Sequence, residues 1–355
     1  MDRLVIRGRN MWETETEYKA LQKETVAHPW LRFFARMLDL NLTLVLWKAF
    51  SALLLHYNSS NVFLGSLYDS YIAFFLLLMM EPLLLSTWGT TPGKKLFGLV
   101  IRDTSGNKLT YKKALARTWG VFGAGYGYNI PIYSLVRLYQ SYKQCSIAEP
   151  LSWEEDTSYS IKNTKYYRRI IYANIFLLLI GIAYIIGLQA VMPIHRGELT
   201  SAQYAENCNT YMKFIGYGTF MKLDDTGNWV DKNPNLLTYS ELPPHKIIVK
   251  DGKVIGIELE VEIKDGDLVS SYQNQQWIAI MGFVAAQREM NCFRISASDL
   301  VKAVQKPFEN YTEYEAGIRV KNEIEYTDYS MSEGLLFPTG ENPYFHMRFT
   351  LERMD

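Results

Sequence analysis

The stretch from about Ile170 to Met192 (IIYANIFLLLIGIAYIIGLQAVM) contains no charged residue, and this limits what the chain can fold into more than any other feature. A helix needs about 20 mainly apolar residues to cross a bilayer core. In hydrocarbon no water meets the backbone, so such a segment has to close its own N–H and C=O groups as a helix. Two earlier stretches have comparable length, from about Phe33 to Leu55 and from about Phe63 to Trp88. Residues 195 to 355 instead alternate polar and apolar positions as a soluble domain does. The chain reads in two parts, a division hidden by its formal net charge of +0.

The placement of charge gives an orientation. Short cytoplasmic loops flanking spans carry excess Lys and Arg. Lys94, Lys95, Arg102, Lys108, Lys112, Lys113 and Arg117 lie between the second and third stretches, and Lys165, Arg168 and Arg169 stand just before the third. Both groups read as cytoplasmic. Past Met192 the near flank holds only His195 and Arg196, so the C-terminal domain is expected outside. The first 28 residues are polar and lack a signal-peptide pattern, leaving insertion to the internal helices. Residues 114–142 are moderately apolar, Gly-rich and broken by Pro131. Two crossings need roughly 40 residues, so a helix, break, helix segment lying in the interface or dipping in and returning is expected. A single crossing, which would reverse the C-terminal domain, is the competing reading.

Charges inside spans cost about 2.5–3.5 kcal/mol each at the centre on insertion scales, so they have partners or a function. By depth, Arg36 and Asp39 match Glu81, and Lys48 matches Asp69, which allows two interhelical ion pairs. Arg32, Arg36 and Asp39 fall on one stripe of their helix, at spacings of about three and seven. Such pairs can simply lock two helices together. The functional reading is a cation or proton site built on Asp39 and Glu81.

Residues 30–39, Trp-Leu-Arg-Phe-Phe-Ala-Arg-Met-Leu-Asp, place Arg32 three before Ala35 and seven before Asp39. A second block runs Thr91, Pro92, Gly93, Lys94, Lys95, Leu96, Phe97, Gly98, Leu99, Val100, then Asp103, Gly106 and Arg117. Both resemble blocks of the RDD family of membrane domains, in the right order, over about residues 29–165. Glu81, upstream of Gly89, also fits a pattern common in members. The family's third block is degraded here to residues 153–161, where Asp156 or Glu155 would stand for its acidic residue. The resemblance implies a multi-pass membrane protein of the cell (plasma or inner) membrane, in bacterial style. Some members look like cation/proton antiporters, so transport of cations, protons or a small solute is implied as one activity. Two or three spans cannot enclose a pathway alone, so transport would require a homo-oligomer. The other reading is a non-catalytic membrane-anchored scaffold or sensor whose external domain binds a ligand or partner.

Read physically, Thr-Pro-Gly-Lys-Lys is a helix stop whose lysines meet anionic headgroups. Leu96 to Tyr111 reads as a short β-hairpin around a Gly-containing turn. Gly-Lys-Lys lacks P-loop spacing. The expected layout is a cytoplasmic segment 1–28, an RDD-like membrane domain 29–165, a transmembrane helix 166–192 and an extracytoplasmic domain 193–355. The fold class is therefore a membrane α-helical N-terminal half with a short β-hairpin, plus an α+β soluble C-terminal domain.

In that domain a helix is expected over Ser201–Phe214 and a hairpin around Asp251-Gly252. A buried core helix is expected over Trp277–Ala286, a Ser-capped helix over Ser296–Gln305, and closing strands near Ile318–Tyr326 and Tyr344–Leu351. Cys208 and Cys292 would both be outside, where an oxidising setting permits a disulfide; two buried thiols are the alternative. His195, His245 and His346 lack metal-ligand spacing, and no nucleophile motif appears, so neither metal, cofactor nor enzymatic activity is expected. No Lys/Arg stripe of nucleic-acid-binding size is present. The expected partners are the lipid bilayer and further copies of the chain.

Overall fold

The computed structural model describes residues 28–59, 65–154, 157–161, 165–217, 221–231, 242–264 and 266–354. The proposed cytoplasmic segment, apart from His28, and the acidic positions Glu155 and Asp156 lie outside them. The chain divides into two compact units, Met1–Ala49 with Phe63–Ala183, and Phe50–Val62 with Tyr184–Asp355.

The first unit is helical. It contains α1 (Pro29–Leu53), α2 (Gly65–Thr87), α3 (Pro92–Leu96), β1 (Leu99–Asp103), α4 (Tyr111–Gly120), α5 (Tyr133–Ser146), β2 (Thr157–Ile161) and α6 (Tyr167–Ala190), the last of which runs on into the second unit. α2 and α6 are long and apolar enough to cross a membrane, with mean hydropathy 1.7 and 2.4. α1 has 25 residues, long enough to span, but Arg32, Arg36, Asp39 and Lys48 keep it below that apolarity. α6 is nearly unburied, with Leu177, Leu178, Ile180 and Tyr184 all exposed. A helix apolar all round calls for an apolar surrounding, and lipid supplies it.

α4 and α5 are separated by a wide turn at Val121–Gly125, a tight one at Gly127–Asn129, and Pro131. This is the helix, break, helix layout the Gly-rich sequence implies. Gly127 sits at φ +57°, and a Cβ there would stand 2.7 Å from the Tyr133 ring. Glycine is thus required at the break.

The expected hairpin is corrected. β1 does not pair with the residues after its turn; it pairs antiparallel with β2, Leu99 opposite Ile161 and Asp103 opposite Thr157. The turn forms, with Asp103 Oδ1 accepting from Ser105 N at 3.0 Å and Asn107 N at 2.7 Å. Two local features then outweigh strand formation. Leu109 plugs the core beside Phe97, Leu99, Ile101 and Ala114, and Thr110 caps α4 by accepting from Lys113 N. The helix stop is also corrected: Thr91 opens a new helix as the N-cap of α3, followed by Pro92.

The second unit holds α7 (Ser201–Ile215), β3 (Met221–Leu223), β4 (Trp229–Asp231), β5 (Lys246–Lys250), β6 (Lys253–Ile263), β7 (Val269–Ser270), α8 (Gln273–Phe283), α9 (Cys292–Ala297), α10 (Asp299–Val304), β8 (Tyr311–Glu315), β9 (Ile318–Thr327), β10 (Tyr329–Ser332), β11 (Leu335–Pro338) and β12 (Tyr344–Arg353). It is α+β. Five antiparallel strands run in the order β5-β6-β12-β9-β8, and a smaller sheet runs β10-β11-β7. α7 starts with a capping box between Thr200 and Gln203 and stops at left-handed Gly216. α8 is a core helix: Ile278, Ala279, Ile280 and Phe283 are buried with Ile257, Leu259, Ile318, Val320, Phe349 and Leu351 of the sheet. The Ser-capped helix is interrupted, because Ser298 adopts an extended conformation that ends α9 and accepts from Leu300 N to start α10.

The disulfide is corrected as well. Cys208 and Cys292 are separate buried thiols. Cys208 points at α8, where its Sγ donates to the Ile278 carbonyl at 3.6 Å. A Cβ on Gly282 would collide with that sulfur, so glycine is what admits the thiol. Burial pushes the Cys208 thiol up to about 12, which removes the thiolate that disulfide exchange needs.

The histidines are dispersed. His195 meets Glu206 at 2.6 Å and His346 meets Glu260 at 3.0 Å, both at the surface. His245 is buried, with Nδ1 2.6 Å from the Tyr204 hydroxyl and Trp229 edge-on to its ring. Burial lowers its pKa from the ordinary 6.5 to about 3. Between those values the unfolded chain holds the proton and the folded chain does not. Stability is then full above the unfolded pKa and falls as pH drops toward the folded one. Thermal unfolding of the whole protein between about pH 8 and about pH 4 should show the midpoint falling below about 6.5. His245→Phe should flatten that fall, and an equally steep slope in the variant would count against the assignment.

Candidate functional site

Seven charged side chains converge in the first unit. From α1 come Arg32, Arg36 and Asp39; α2 adds Glu81, α3 Lys94, α4 Arg117, and the segment before β2 adds Glu154. Glu81 is at the centre, with 0% exposure. Its Oε1 accepts from Arg36 Nη2 at 3.1 Å and Lys94 Nζ at 2.8 Å, while Oε2 takes the other Arg36 Nη. Arg36 thus grips it with both arms of its planar fork, the strong geometry for this pair. Arg117 Nη1 lies 3.8 Å away.

Asp39 does a different job. Its Oδ1 accepts from Gly93 N at 2.7 Å and its Oδ2 from Thr91 Oγ1 at 2.5 Å, with Lys94 Nζ at 3.8 Å. Asp39 therefore seats the first turn of α3 on α1. A Cβ on Gly93 would collide with the Ala35 carbonyl, so this contact requires glycine. Arg32 donates to Glu154 at 2.8 Å and lies 4.0 Å over the Tyr159 ring, and Arg117 reaches within 3.9 Å of Glu154.

Lys94 was expected at the headgroups. It is 4% exposed and turned inward, leaving Lys95 exposed. Burial lowers the Lys94 pKa, and the Glu81 charge opposes that. Lys48 and Asp69 form a separate pair at 3.0 Å, with Trp47 Nε1 also donating to Asp69 at 2.7 Å. Gly98 takes φ +69° in the turn from α3 into β1, and Asp103 is occupied with its own turn. Neither joins the cluster. Glu154, Tyr126 and Tyr159 were not anticipated. A signal was present, since the family blocks supply four cations against two acids and a buried cluster needs more counter-charge than that.

The cluster borders a cavity of about 540 Å³. Arg32, Arg36, Lys94, Arg117, Tyr126 and Glu154 form its charged side. Trp30, Phe33, Leu138, Tyr142, Leu151 and Trp153 form an apolar one. Among the described residues, Arg117 Nε and Nη1, Arg32 Nε and the Tyr126 hydroxyl are buried without a hydrogen-bond acceptor. No group of three or more His, Cys, Asp or Glu side chains arranged to hold a metal occurs among the described residues.

A helical unit with two apolar helices of bilayer length around a buried ion network has the make-up of an integral membrane domain. The RDD family model matches residues 26–190, and over that region the chain is an RDD-family protein. The match stops short of the sheet-containing C-terminal region. No curated protein and no solved structure matches the chain. With the family and the two apolar helices together, this is a membrane protein.

Removing one partner of a buried pair leaves an uncompensated charge and typically costs about 3–5 kcal/mol. Glu81→Gln should destabilise the protein by about that much, read as denaturant unfolding in mild detergent. A loss under about 1 kcal/mol, the range of exposed pairs, would show that Glu81 does not hold the cluster.

Proposed function

We propose that the membrane domain binds a small solute in the cavity beside Glu81 and Arg117 and moves it across the membrane as part of an oligomer, with no chemistry performed on it. The observation that carries this is a ligand-sized cavity whose charged side keeps unspent donors. Small-molecule sites fall at roughly 300–1,000 Å³ and pair apolar walls with a few polar groups. Cation or proton exchange on Asp39 and Glu81 is the weaker form of the transport reading. Glu81 is occupied by Arg36 and Lys94, and Asp39 by Thr91 and Gly93, so a cation would have to displace bonded partners.

For the C-terminal domain we propose an extracytoplasmic position. The loop after α1 groups with it in one unit, and Lys213 of α7 donates to the Leu55 carbonyl at 3.3 Å. The basic residues before α4 and α6 belong to the other unit. A chain entering α1 from the cytoplasm, returning through α2 and leaving through α6 puts that loop and the C-terminal domain on the same outer side.

Cys145 lines the cavity and reports on the transport proposal. In sealed vesicles of either orientation, an impermeant maleimide should modify Cys145 from both faces if the cavity alternates in access. Modification from one face alone would reject transport and favour the anchored sensor. Protease added to intact cells should digest residues beyond Met192 while sparing α4; protection of that region would reverse the orientation.

A further inference from the structure

The ligand class can be narrowed from the electrostatics of the same cavity, an inference that rests on reading the cavity as a ligand site. We propose that it takes a single-chain amphiphile with an anionic head, a carboxylate or a phosphate monoester, entering from the bilayer interface.

Among the described residues, four cations face three carboxylates in the cluster: Arg32, Arg36, Lys94 and Arg117 against Asp39, Glu81 and Glu154. Arginine keeps its charge in any protein setting, so the interior carries a cationic surplus that a buried site has to compensate. The unspent arginine nitrogens can only donate, and the Tyr126 hydroxyl has a proton to donate. Arg117 is 6% exposed and Tyr126 is 8% exposed, yet Arg117 Nε and Nη1 and the Tyr126 hydroxyl, with Arg32 Nε beside them, meet no acceptor among the described residues. Each such group costs free energy until an acceptor arrives. Among the described residues the carboxylates nearby are committed elsewhere: Glu81 to Arg36 and Lys94, Glu154 to Arg32. A ligand that brings oxygen atoms and negative charge answers both deficits at once. A cation answers neither.

The opposite wall sets the rest of the molecule. Trp30, Phe33, Leu138, Tyr142 and Trp153 offer apolar surface, which a bare inorganic anion would leave unused. Trp30, Tyr139 and Tyr142 line the cavity and are also strongly exposed. Aromatic rings of that kind settle at the bilayer interface. The source is therefore the membrane, with the head at Arg117 and Tyr126 and the chain against the aromatic wall.

The test uses the full-length protein in neutral phosphatidylcholine nanodiscs and reads two quantities, the maleimide reaction rate of Cys145 and the thermal unfolding midpoint. The probes are decyl phosphate, decyltrimethylammonium and inorganic phosphate, with decanol as the uncharged control. Decyl phosphate should slow labelling and raise the midpoint, and the cationic and uncharged amphiphiles should do neither. Tyr126→Phe removes a hydroxyl that bonds to nothing described, so the free protein should keep its midpoint. Decyl phosphate should then bind about tenfold more weakly, the factor one hydrogen bond to a charged group supplies. Equal protection by decyltrimethylammonium or decanol would overturn the anionic head while leaving the cavity a ligand site. Inorganic phosphate protecting as well as decyl phosphate would overturn the amphiphile and name a soluble anion. Unchanged affinity in Tyr126→Phe would overturn the head's placement. Free labelling of Cys145 under every probe would remove the cavity reading itself.

Discussion

The Glu81 carboxylate holds the first unit together. It sits within α2 and is bonded by Arg36 of α1 and Lys94 of α3, with Arg117 of α4 close by. Four elements are thus tied to one buried anion. Helices in lipid gain little from hydrophobic association, because the surrounding tails are as apolar as their own side chains. An inward charge network specifies which helices meet and at what rotation. Asp39 adds the axial register, because it anchors the first turn of α3 through Thr91 and Gly93. α1 can carry Arg32, Arg36 and Asp39 for this reason: charges that would be costly against lipid are paired within the protein.

The same network explains why the cavity has the character it does. A bidentate Arg36 and a direct Lys94 saturate Glu81, which leaves Arg117 within ion-pair range of two carboxylates but hydrogen-bonded to neither through Nε or Nη1. Arg32 uses one nitrogen on Glu154 and its plane on Tyr159. Polar capacity is thus left over on residues that line the cavity.

The elements with strong periodicity were legible: α2, α6, α7, α8, the Asp251-Gly252 hairpin and the closing strands all fall close to their expected positions. The pairing of Arg36 with Glu81 and of Lys48 with Asp69 followed from depth matching along two adjacent helices. What failed to read were contacts between distant segments. β1 pairs with a strand far along the chain, Leu99 opposite Ile161, 62 residues later, which no local pattern announces. Lys94 looked like a headgroup lysine because its sequence neighbours are Gly93 and Lys95. Its inward turn comes from the helical phase that Thr91 and Pro92 impose on α3. Glu154 lies in a block whose family pattern is degraded, so its role emerged only from the charge deficit around Arg32 and Arg117.

The position of the network along the helices limits its cost. Arg36 is seven residues into α1 and Glu81 six residues from the end of α2, roughly 10 Å from either terminus at 1.5 Å per residue. The cluster therefore lies toward the end of the helix pair that leads into α3, away from the mid-length, where charge burial is most expensive. Long arginine side chains at that depth can still draw on polar surroundings. An ion network near one end of the helices therefore ties them together at less cost than the same charges would carry at mid-length.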